Sequence, residues 1–323
     1  MENFKIKGPY WILYFPTDAC NYKCKHCYLE NIPENGEMNY NEAIKIFSDS
    51  RLLKDTRIGI SGGEPFLKKD IVEILSGLSN LGYKLEMTTN GSFPEKIKEF
   101  LERSNTKKID IAISIDGLKD SNDMIRAKGG FDKAIRTLKI IKEIGINRLQ
   151  VNVVVQKLNI DYLDEIKDYF SSLDVNLAFI PLQNTNNIKV FYTEEEIEKM
   201  INYIHDRIDI KYIISKGKFK ITDCHSGQTT CFIDPTGKVF TCMTGQRYFF
   251  PRKNYFMGDL RKFNYNFDTL WASKQADIAR KNVKGCEGCY NGCEIRREKE
   301  WHGLDDNVDW ENISEDGRLI NEE

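Results

Sequence analysis

The first 190 residues alternate short apolar runs with longer amphipathic stretches. The short runs are rich in β-branched and aromatic residues, and they predict six strands: Trp11–Phe15, Thr56–Ile60, Tyr83–Thr88, Lys108–Ile113, Gln150–Val155 and Asn176–Ile180. The stretches between them repeat apolar residues at helical spacing: Tyr40–Leu53, Asp70–Leu81, Pro94–Arg103, Phe131–Ile144 and Tyr162–Leu173. Strands that alternate with helices indicate an α/β fold with a parallel sheet and right-handed crossovers. Six units are too few for a closed eight-fold barrel, so we expect an open, partial (β/α)6 barrel.

The chain after residue 192 follows a different pattern. The run Thr193-Glu194-Glu195-Glu196 resembles a capping box, which predicts a helix that continues to about Ile208. Further on, Asp234-Pro235-Thr236-Gly237 is typical of a tight turn between two short strands, Thr230–Ile233 and Lys238–Thr241. The predicted domains are a barrel over residues 8–190, a linker helix over 191–212, a small irregular α+β domain over 213–304 and an acidic tail over 305–323.

Polar and glycine-rich segments follow the first four predicted strands. These segments are Thr17-Asp18-Ala19-Cys20, Ser61-Gly62-Gly63-Glu64-Pro65, Thr88-Thr89-Asn90-Gly91 and Ser114-Ile115-Asp116-Gly117. In parallel α/β folds the ligand binds over the carboxyl ends of the strands. We therefore expect the four segments to face one common mouth of the barrel.

The overall composition is that of a globular protein, with 41% hydrophobic and 30% charged residues and a net charge of -2. This balance gives no sign of a nucleic-acid partner or of binding to a membrane surface. The chain contains no apolar run of 18 or more residues, and its first ten residues lack the apolar core of a signal peptide. We therefore expect a cytoplasmic protein.

The nine cysteines form two groups, with none between residues 28 and 223. An odd number of cysteines, in a chain of this length without a secretion signal, argues against a disulfide framework. In a reducing compartment, clustered cysteines usually hold metal. The candidate ligands are Cys20, Cys24 and Cys27 near the start, and Cys224, Cys231, Cys242, Cys286, Cys289 and Cys293 late in the chain.

The early group lies within eight residues, so its three thiolates can reach one iron–sulfur cluster. A four-iron cluster that is held by three cysteines has one iron open to an exchangeable ligand. A structural zinc site is one alternative, but such sites normally have four Cys or His ligands, and His26 is awkwardly placed to be the fourth. A redox-active pair formed by Cys24 and Cys27 is the other alternative.

The Cys-x3-Cys-x2-Cys spacing, together with Gly62-Gly63-Glu64-Pro65 after the second strand, resembles the radical S-adenosylmethionine superfamily over roughly residues 10–185. The resemblance implies that S-adenosylmethionine binds the open iron and that His26 lies near its adenine. It also implies that the Gly-Gly-Glu segment binds the methionine amino group. Two glycines would let the backbone approach the ligand, and Glu64 could accept a hydrogen bond from the ammonium.

Further cofactor contacts are implied by the same resemblance. Asn90, Ser114 and Asp116 lie where the family has polar residues at the ends of strands three and four, and Ser114 would touch the ribose or the methionine carboxylate. Arg126 is placed where relatives often bind that carboxylate, the alternative being a solvated surface arginine. Asn152 is either another cofactor contact or only a polar residue in a strand. In the family, an electron from the cluster cleaves S-adenosylmethionine to a 5′-deoxyadenosyl radical, which abstracts hydrogen from the substrate.

The late cysteines resemble the SPASM and twitch extensions, which carry auxiliary four-iron clusters. A complete SPASM pattern has seven cysteines after the barrel and this chain has six, so we expect one auxiliary cluster. A zinc site held by four of these cysteines is the alternative. A twitch-like ligand set would be Cys224, Cys242, Cys286 and Cys289, and a SPASM-like set would be Cys224, Cys231, Cys242 and Cys293. A remaining cysteine, such as Cys231 or Cys293, is either a hydrogen-atom donor or a buried small apolar residue.

The resemblance favours a ribosomal peptide or a protein as the substrate, with crosslinking, epimerisation or oxidation as the reaction. The barrel begins about ten residues into the chain, so a leader-binding module would be a separate protein. A twitch-type dehydrogenase of an amino-sugar or a nucleoside is the alternative, and an iron–sulfur electron-transfer or scaffold protein is an alternative of another class. The enzyme would need an external reductant, such as a flavodoxin or a ferredoxin.

Overall fold

The computed structural model describes residues 8–27, 29, 36–182, 192–203, 226–243 and 255–283. Its strands are β1 (Trp11–Tyr14), β2 (Arg57–Ile60), β3 (Lys84–Thr89), β4 (Ile109–Ser114), β5 (Arg148–Val155), β6 (Asn176–Pro181), β7 (Thr230–Ile233), β8 (Lys238–Phe240) and β9 (Phe256–Asp259). Its α-helices are α1 (Tyr40–Asp49), α2 (Ile71–Asn80), α3 (Pro94–Glu102), α4 (Lys119–Ile125), α5 (Gly130–Ile144), α6 (Leu163–Ser172), α7 (Glu194–Ile201), α8 (Phe267–Trp271) and α9 (Lys274–Val283). The six predicted barrel strands and the predicted hairpin are all present, with bounds that differ by up to two residues.

The strands form one open sheet in the order β6-β5-β4-β3-β2-β1-β7-β8-β9. All pairs from β6 to β7 are parallel, whereas β8 and β9 are antiparallel to their neighbours. The expectation of an α/β fold with an open, partial barrel is therefore confirmed. This expectation came from the alternation of strands and helices. Parallel strands require that alternation, because each connection between them crosses over through a helix.

The described part of the C-terminal region extends the barrel sheet, which the sequence did not indicate. Strand β7 pairs in parallel with β1, with Trp11 opposite Thr230 and Tyr14 opposite Ile233. The predicted turn after β7 is held by Asp234, whose Oδ1 accepts from the backbone N–H groups of Thr236 and Lys238 at 2.9 Å each. The hairpin thus continues the sheet beyond β1.

The two faces of the sheet carry different side chains. Alternate residues of β1 to β5 pack against the helices in the main core, as Ile12, Ile58 and Leu85 do. On the inner face of β1, Trp11 and Leu13 belong to a second apolar cluster, the inner aromatic cluster, whose other buried members are Tyr10, Phe15, Phe232, Phe240 and Met243. The inner face therefore has an apolar half around β1 and β7.

The inner face of β2 to β4 is charged. Arg57 pairs with Glu86 at 3.7 Å, and Lys84 pairs with Asp110 at 3.0 Å. These residues alternate along the strands with buried apolar residues that face the helices, so the period-two pattern separates the two environments. A polar wall on β2 to β4 thus lies beside the inner aromatic cluster on the same face of the sheet, with Arg57 next to Trp11.

Helix α1 is shorter than the predicted Tyr40–Leu53. It ends at Asp49 because the backbone N–H groups of Arg51 and Leu52 donate to the carboxylate of Asp268, at 2.9 and 3.4 Å. The hydroxyl of Ser50 donates to the same carboxylate. A distant carboxylate therefore satisfies backbone donors that would otherwise have continued the helix.

Several further contacts join the C-terminal region to the barrel. The Met38 N–H donates to Pro235 O at 2.8 Å, and Arg261 donates to Gly36 O at 2.5 Å. Lys45 also donates to Asn264 at 3.1 Å. Gly36 and Met38, just before α1, are consequently held by residues of the C-terminal region. None of the described helices is long and apolar enough to cross a lipid bilayer.

Gly59 in β2 is required by the packing of Trp11. A Cβ at residue 59 would lie 2.5 Å from Cζ2 of the Trp11 ring, and that indole is 3% exposed. We expect Gly59→Ala to lower the free energy of unfolding by about 1–3 kcal/mol, because overpacking displaces a rigid buried ring. Thermal unfolding of the variant measures this loss.

The double variant Gly59→Ala/Trp11→Phe provides the control for this prediction. A phenyl ring lacks the Cζ2 atom that the new Cβ would meet, so the double variant should lose less stability than the sum of the two single variants. Strict additivity would show that the added methyl group does not act through the Trp11 ring.

Candidate active site

The three early cysteines lie in the loop that follows β1. The Cys27 N–H donates to Cys24 O at 3.0 Å, which closes a tight turn, and the Lys25 N–H donates to Ile125 O at 3.0 Å, which anchors that turn to the end of α4. The Tyr22 N–H points at Cys20 Sγ, 3.4 Å away. The backbone thus presents all three thiols from one short, anchored loop.

Burial dominates the acidity of these thiols. It raises the pKa of Cys24 to about 11 and also raises the pKa of Cys20 and Cys27. Negative charge on Cys20 or Cys27 raises the pKa of Cys24 further, whereas the Arg126 guanidinium lowers it. The three sulfurs are therefore close enough to act on one another, and a bound metal would have to supply the stabilisation that their thiolates need.

The arrangement of the loop fits a four-iron cluster better than a single metal ion. In the described part of the chain, no three His, Cys, Asp or Glu side chains converge closely enough to bind one ion. In a four-iron cluster each thiolate binds a different iron, so the sulfurs stand further apart than the ligands of a single ion. Three thiols on one loop, of which Cys20 and Cys24 are half-buried and Cys27 is exposed, fit that arrangement.

Gly62 and Gly63 place the end of β2 directly against the cysteine loop. A Cβ on Gly62 would lie 2.3 Å from Thr17 O, and one on Gly63 would lie 2.0 Å from Ala19 O. The Gly63 N–H donates to Thr17 O at 3.0 Å, and Gly62 has a φ of +121°. The expected approach of this backbone to a ligand stays a prediction. In the structure the two glycines let it approach the loop that carries the cysteines.

Glu64 is enclosed by the protein at the ends of β2 and β3. Its side chain is fully buried and accepts from Phe66 N at 3.1 Å, Thr89 Oγ1 at 2.8 Å and Asn90 N at 2.7 Å. Burial raises its pKa to about 7, against the opposing effect of these three donors. The expected contact with an ammonium group stays a prediction: Oε2 accepts from Asn90 N, and a carboxylate oxygen can accept a second hydrogen bond. In this structure its carboxylate joins the ends of β2 and β3.

Asn90 continues this connection to the cysteine loop. Its Nδ2 donates to Asn21 Oδ1 at 2.9 Å and lies 4.0 Å from Cys20 Sγ. Asn21 in turn donates to Ser92 Oγ at 2.9 Å. The side chain of Asn90 therefore contacts the loop that we assign to the cluster, and its expected contact with the cofactor stays a prediction.

Asp116 is the centre of a second buried network, which includes Arg126 and His26. Arg126 Nε lies 2.6 Å from Asp116 Oδ2, and His26 Nε2 lies 3.6 Å from the same oxygen. The Asp116 and Arg126 side chains are 0% and 9% exposed. The alternative of a solvated surface arginine is therefore excluded.

The partners of His26 indicate its tautomer. The Gln156 amide lies 3.2 Å from His26 Nδ1, and burial lowers the pKa of the ring. A neutral ring with its proton on Nε2 satisfies both neighbours, since Nε2 faces the Asp116 carboxylate. Gln156 is itself placed by Asn159, whose Oδ1 accepts from the Gln156 N–H at 2.8 Å.

Ser114 and Asn152 lie opposite each other on β4 and β5 at the carboxyl end of the inner face, and both are half-buried. Asn152 Oδ1 accepts from Gln150 Nε2 at 2.6 Å, and Gln150 accepts from Arg148 at 2.7 Å. This arrangement leaves the Asn152 amide N–H₂ group as a donor. Of the residues expected to contact the cofactor, these two are the ones on the polar half of the barrel interior.

The late cysteines are described only in part. Cys231 is on β7, 2% exposed, and packs in the helix-side core. Cys242 is half-buried just after β8. Four candidate ligands lie outside the described residues: Cys224, Cys286, Cys289 and Cys293. The choice between the twitch-like and SPASM-like ligand sets therefore stays a prediction.

Glu37 is a residue of the site that the sequence analysis missed. Its carboxylate accepts from Thr17 Oγ1 at 2.5 Å and from Lys68 Nζ at 3.4 Å. Thr17 Oγ1 also accepts from the Ala19 N–H at 3.1 Å. Glu37 therefore joins the segment after the cysteines to the segment before them, beside a cavity of about 460 Å³. No motif or period marks an acid in this position.

We expect Glu37→Ala to loosen the cysteine loop. The variant loses two hydrogen bonds to a charged acceptor, each worth about 1.5–3 kcal/mol, so the midpoint of thermal unfolding should fall and a chelator should remove iron faster. Glu99→Ala is the matched control, because Glu99 forms only an exposed ion pair with Arg103, worth at most about 0.5 kcal/mol. Equal rates of iron loss from the two variants would contradict the role of Glu37.

Comparison with known families matches two regions of the chain. The profile of the Radical SAM superfamily matches residues 14–170. The profile of SPASM, an iron–sulfur cluster-binding domain, matches residues 224–293. The first region begins at the last residue of β1 and contains the cysteine loop and strands β2 to β5, and the second contains all six late cysteines.

Individual relatives match in sequence or in fold. A probable GTP 3′,8-cyclase of Methanococcus vannielii is 30% identical over 224 residues, which are 61% of this chain and 73% of the relative. The mycofactocin maturase MftC of Mycobacterium tuberculosis is 24% identical over 331 residues, 91% of this chain and 80% of the relative. The fold resembles that of Streptococcus suis SuiB bound to its precursor peptide SuiA, with a TM-score of 0.63, 20% identity and coverage of 88% of this chain and 72% of that one.

Proposed function

The chain belongs to the radical S-adenosylmethionine superfamily, and we propose that it modifies a ribosomal peptide or a protein. The observation that carries the proposal is the combination of the SPASM match with the alignment to a maturase over 91% of the chain. The alignment to the GTP cyclase covers 61% of this chain. The resemblance of the fold to SuiB, which was solved with a precursor peptide, supports the same substrate class.

When bound, the four-iron cluster and S-adenosylmethionine supply hydrogen-atom abstraction from an unactivated carbon. The residues of this chain bind and orient. Cys20, Cys24 and Cys27 hold the cluster, and the Glu64 and Asn90 side chains keep their loop against the ends of β2 and β3. Ser114 and Asn152 offer hydrogen bonds to the cofactor or to the substrate from the inner face.

The barrel interior suits a substrate that must be kept away from water near the reacting carbon. The inner aromatic cluster fills the side of β1 and β7, and the polar wall on β2 to β4 forms ion pairs within itself. In the described sheet, β6 and β9 are the outer strands and do not pair with each other. This open architecture supports access by an extended chain from the side.

A nucleotide is the second candidate substrate class. It is favoured by the identity of 30% to a GTP 3′,8-cyclase, the highest among the three relatives described above. An anaerobic assay with strong chemical reductant separates the two candidates. We expect the protein to form 5′-deoxyadenosine faster with a peptide encoded beside its gene than without one, and the peptide mass to change.

The control is the triple variant Cys20→Ala/Cys24→Ala/Cys27→Ala, which should form no 5′-deoxyadenosine. Consumption of GTP with no effect of the peptide would reject the peptide proposal in favour of the nucleotide. Absence of 5′-deoxyadenosine under every condition would favour an electron-transfer or scaffold role.

We further propose one auxiliary cluster, supported by the six late cysteines in place of seven. The reconstituted protein should then contain about eight irons per chain, whereas two auxiliary clusters would raise the number to about twelve. About four irons together with zinc would contradict an auxiliary iron–sulfur cluster. Replacing Cys242 by Ala should reduce the iron content to about four, because both candidate ligand sets include Cys242.

The partners that we propose are an external one-electron reductant, such as a flavodoxin or a ferredoxin, and a separate leader-binding protein. Thiolates that bind iron need a reducing environment to stay free of disulfides, which supports a cytoplasmic location. Copurification of the tagged protein with a small redox protein or with a leader-binding protein tests these partners.

A further inference from the structure

Arg126 was expected to bind the carboxylate of S-adenosylmethionine, but its side chain is already placed between two other groups. Its Nε lies 2.6 Å from Asp116 Oδ2, and its terminal NH1 lies 4.0 Å from Cys24 Sγ. The backbone of Arg126 is fixed as well, because its N–H donates to Asn122 O at 2.8 Å at the end of α4. One edge of the guanidinium therefore faces a carboxylate, and the other faces a cluster ligand.

We propose that Arg126 is a positioning residue for the cluster. Its positive charge is held beside Cys24 and makes the cluster easier to reduce. The proposal rests on the assignment of Cys20, Cys24 and Cys27 to a four-iron cluster, and it goes beyond the proposed substrate class.

Asp116 prevents Arg126 from turning towards another anion. The Asp116 Oδ1 accepts from the Val154 N–H at 2.8 Å, and its backbone N–H donates to Asn122 Oδ1 at 3.0 Å. Asn159 Nδ2 donates to Asp116 O at 2.8 Å. The carboxylate is fully buried and cannot follow a moving partner. If Arg126 left it, a buried charge would remain without its counter-ion, which is strongly unfavourable.

His26 does not replace Arg126 as that counter-ion. Its Nε2 is 3.6 Å from Asp116 Oδ2, further than Arg126 Nε at 2.6 Å, and its Nδ1 faces the amide of Gln156. Asp116 and Arg126 therefore form the ion pair that lies beside Cys24. The positive end of this ion pair, the Arg126 guanidinium, lies nearer to Cys24 than the Asp116 carboxylate does. The electrostatic potential at the cluster is therefore made more positive by the pair.

The expected consequence follows from the charge of the cluster. Reduction adds one electron, and both nearby positive charge and hydrogen bonds to the sulfurs favour the more negative state. The Arg126 N–H groups and the Asn90 amide approach two different cysteine sulfurs, Cys24 and Cys20. Of these two donors, the arginine is the charged one.

The test is a redox titration of the first cluster in the absence of substrate. That cluster is identified as the one whose EPR signal changes when S-adenosylmethionine is added. The variant Arg126→Gln/Asp116→Asn removes both charges and retains hydrogen-bonding groups, so no unpaired charge is left in the core. At a fixed potential, we expect the ratio of reduced to oxidised cluster to fall three- to tenfold. A tenfold fall corresponds to about 59 mV for a one-electron couple.

The affinity for S-adenosylmethionine is measured on the same samples and should change less than threefold. An unchanged potential overturns the proposal, and so does a tenfold or greater loss of affinity, which would assign Arg126 to the methionine carboxylate. The variant Arg126→Lys covers the case in which the double variant does not fold. A single ammonium cannot face both Asp116 and Cys24. The reduction potential of the cluster in this variant should therefore also fall, while the affinity for S-adenosylmethionine is retained. Because no substrate is present, failure of the peptide proposal leaves this result unaffected.

Discussion

The close approach of two backbone segments determines where the chemistry of this protein takes place. The carbonyl oxygens of Thr17 and Ala19 lie where Cβ atoms of Gly62 and Gly63 would be, and the Gly63 and Glu64 N–H groups donate to them. The loop that carries three cysteines is thereby attached to the end of β2. Any larger residue in place of these glycines would separate the loop from the sheet.

Two buried carboxylates extend this attachment to the rest of the barrel mouth. Glu64 joins the ends of β2 and β3, and Asn90 continues the connection to Cys20. Asp116, after β4, is bound by the Val154 N–H of β5 and by Arg126, which reaches Cys24. Each carboxylate is fully buried and paired, so the loop is held on both sides by groups that are costly to displace.

The C-terminal region stabilises the same loop from outside the barrel. Strand β7 pairs with β1 before the cysteines, and Pro235 and Arg261 bind the backbone of Met38 and Gly36, ahead of α1. Asp268 ends α1 by taking its next backbone donors. The region that matches an iron–sulfur domain is thus a structural part of the sheet that carries the first cysteine loop.

The sequence by itself determined the open α/β barrel, because the spacing of apolar residues records whether a segment is a strand or a helix. It also indicated the superfamily, since Cys20, Cys24, Cys27 and the Gly-Gly-Glu segment are local in the chain. The contacts of Glu64 and Arg126 were decided only by the tertiary structure. Their partners come from other strand ends, and a buried charge binds whichever group the fold brings to it. The same reason explains why Glu37 and the pairing of β7 with β1 were missed: both depend on segments that are distant in the chain and have no periodic pattern to reveal their meeting.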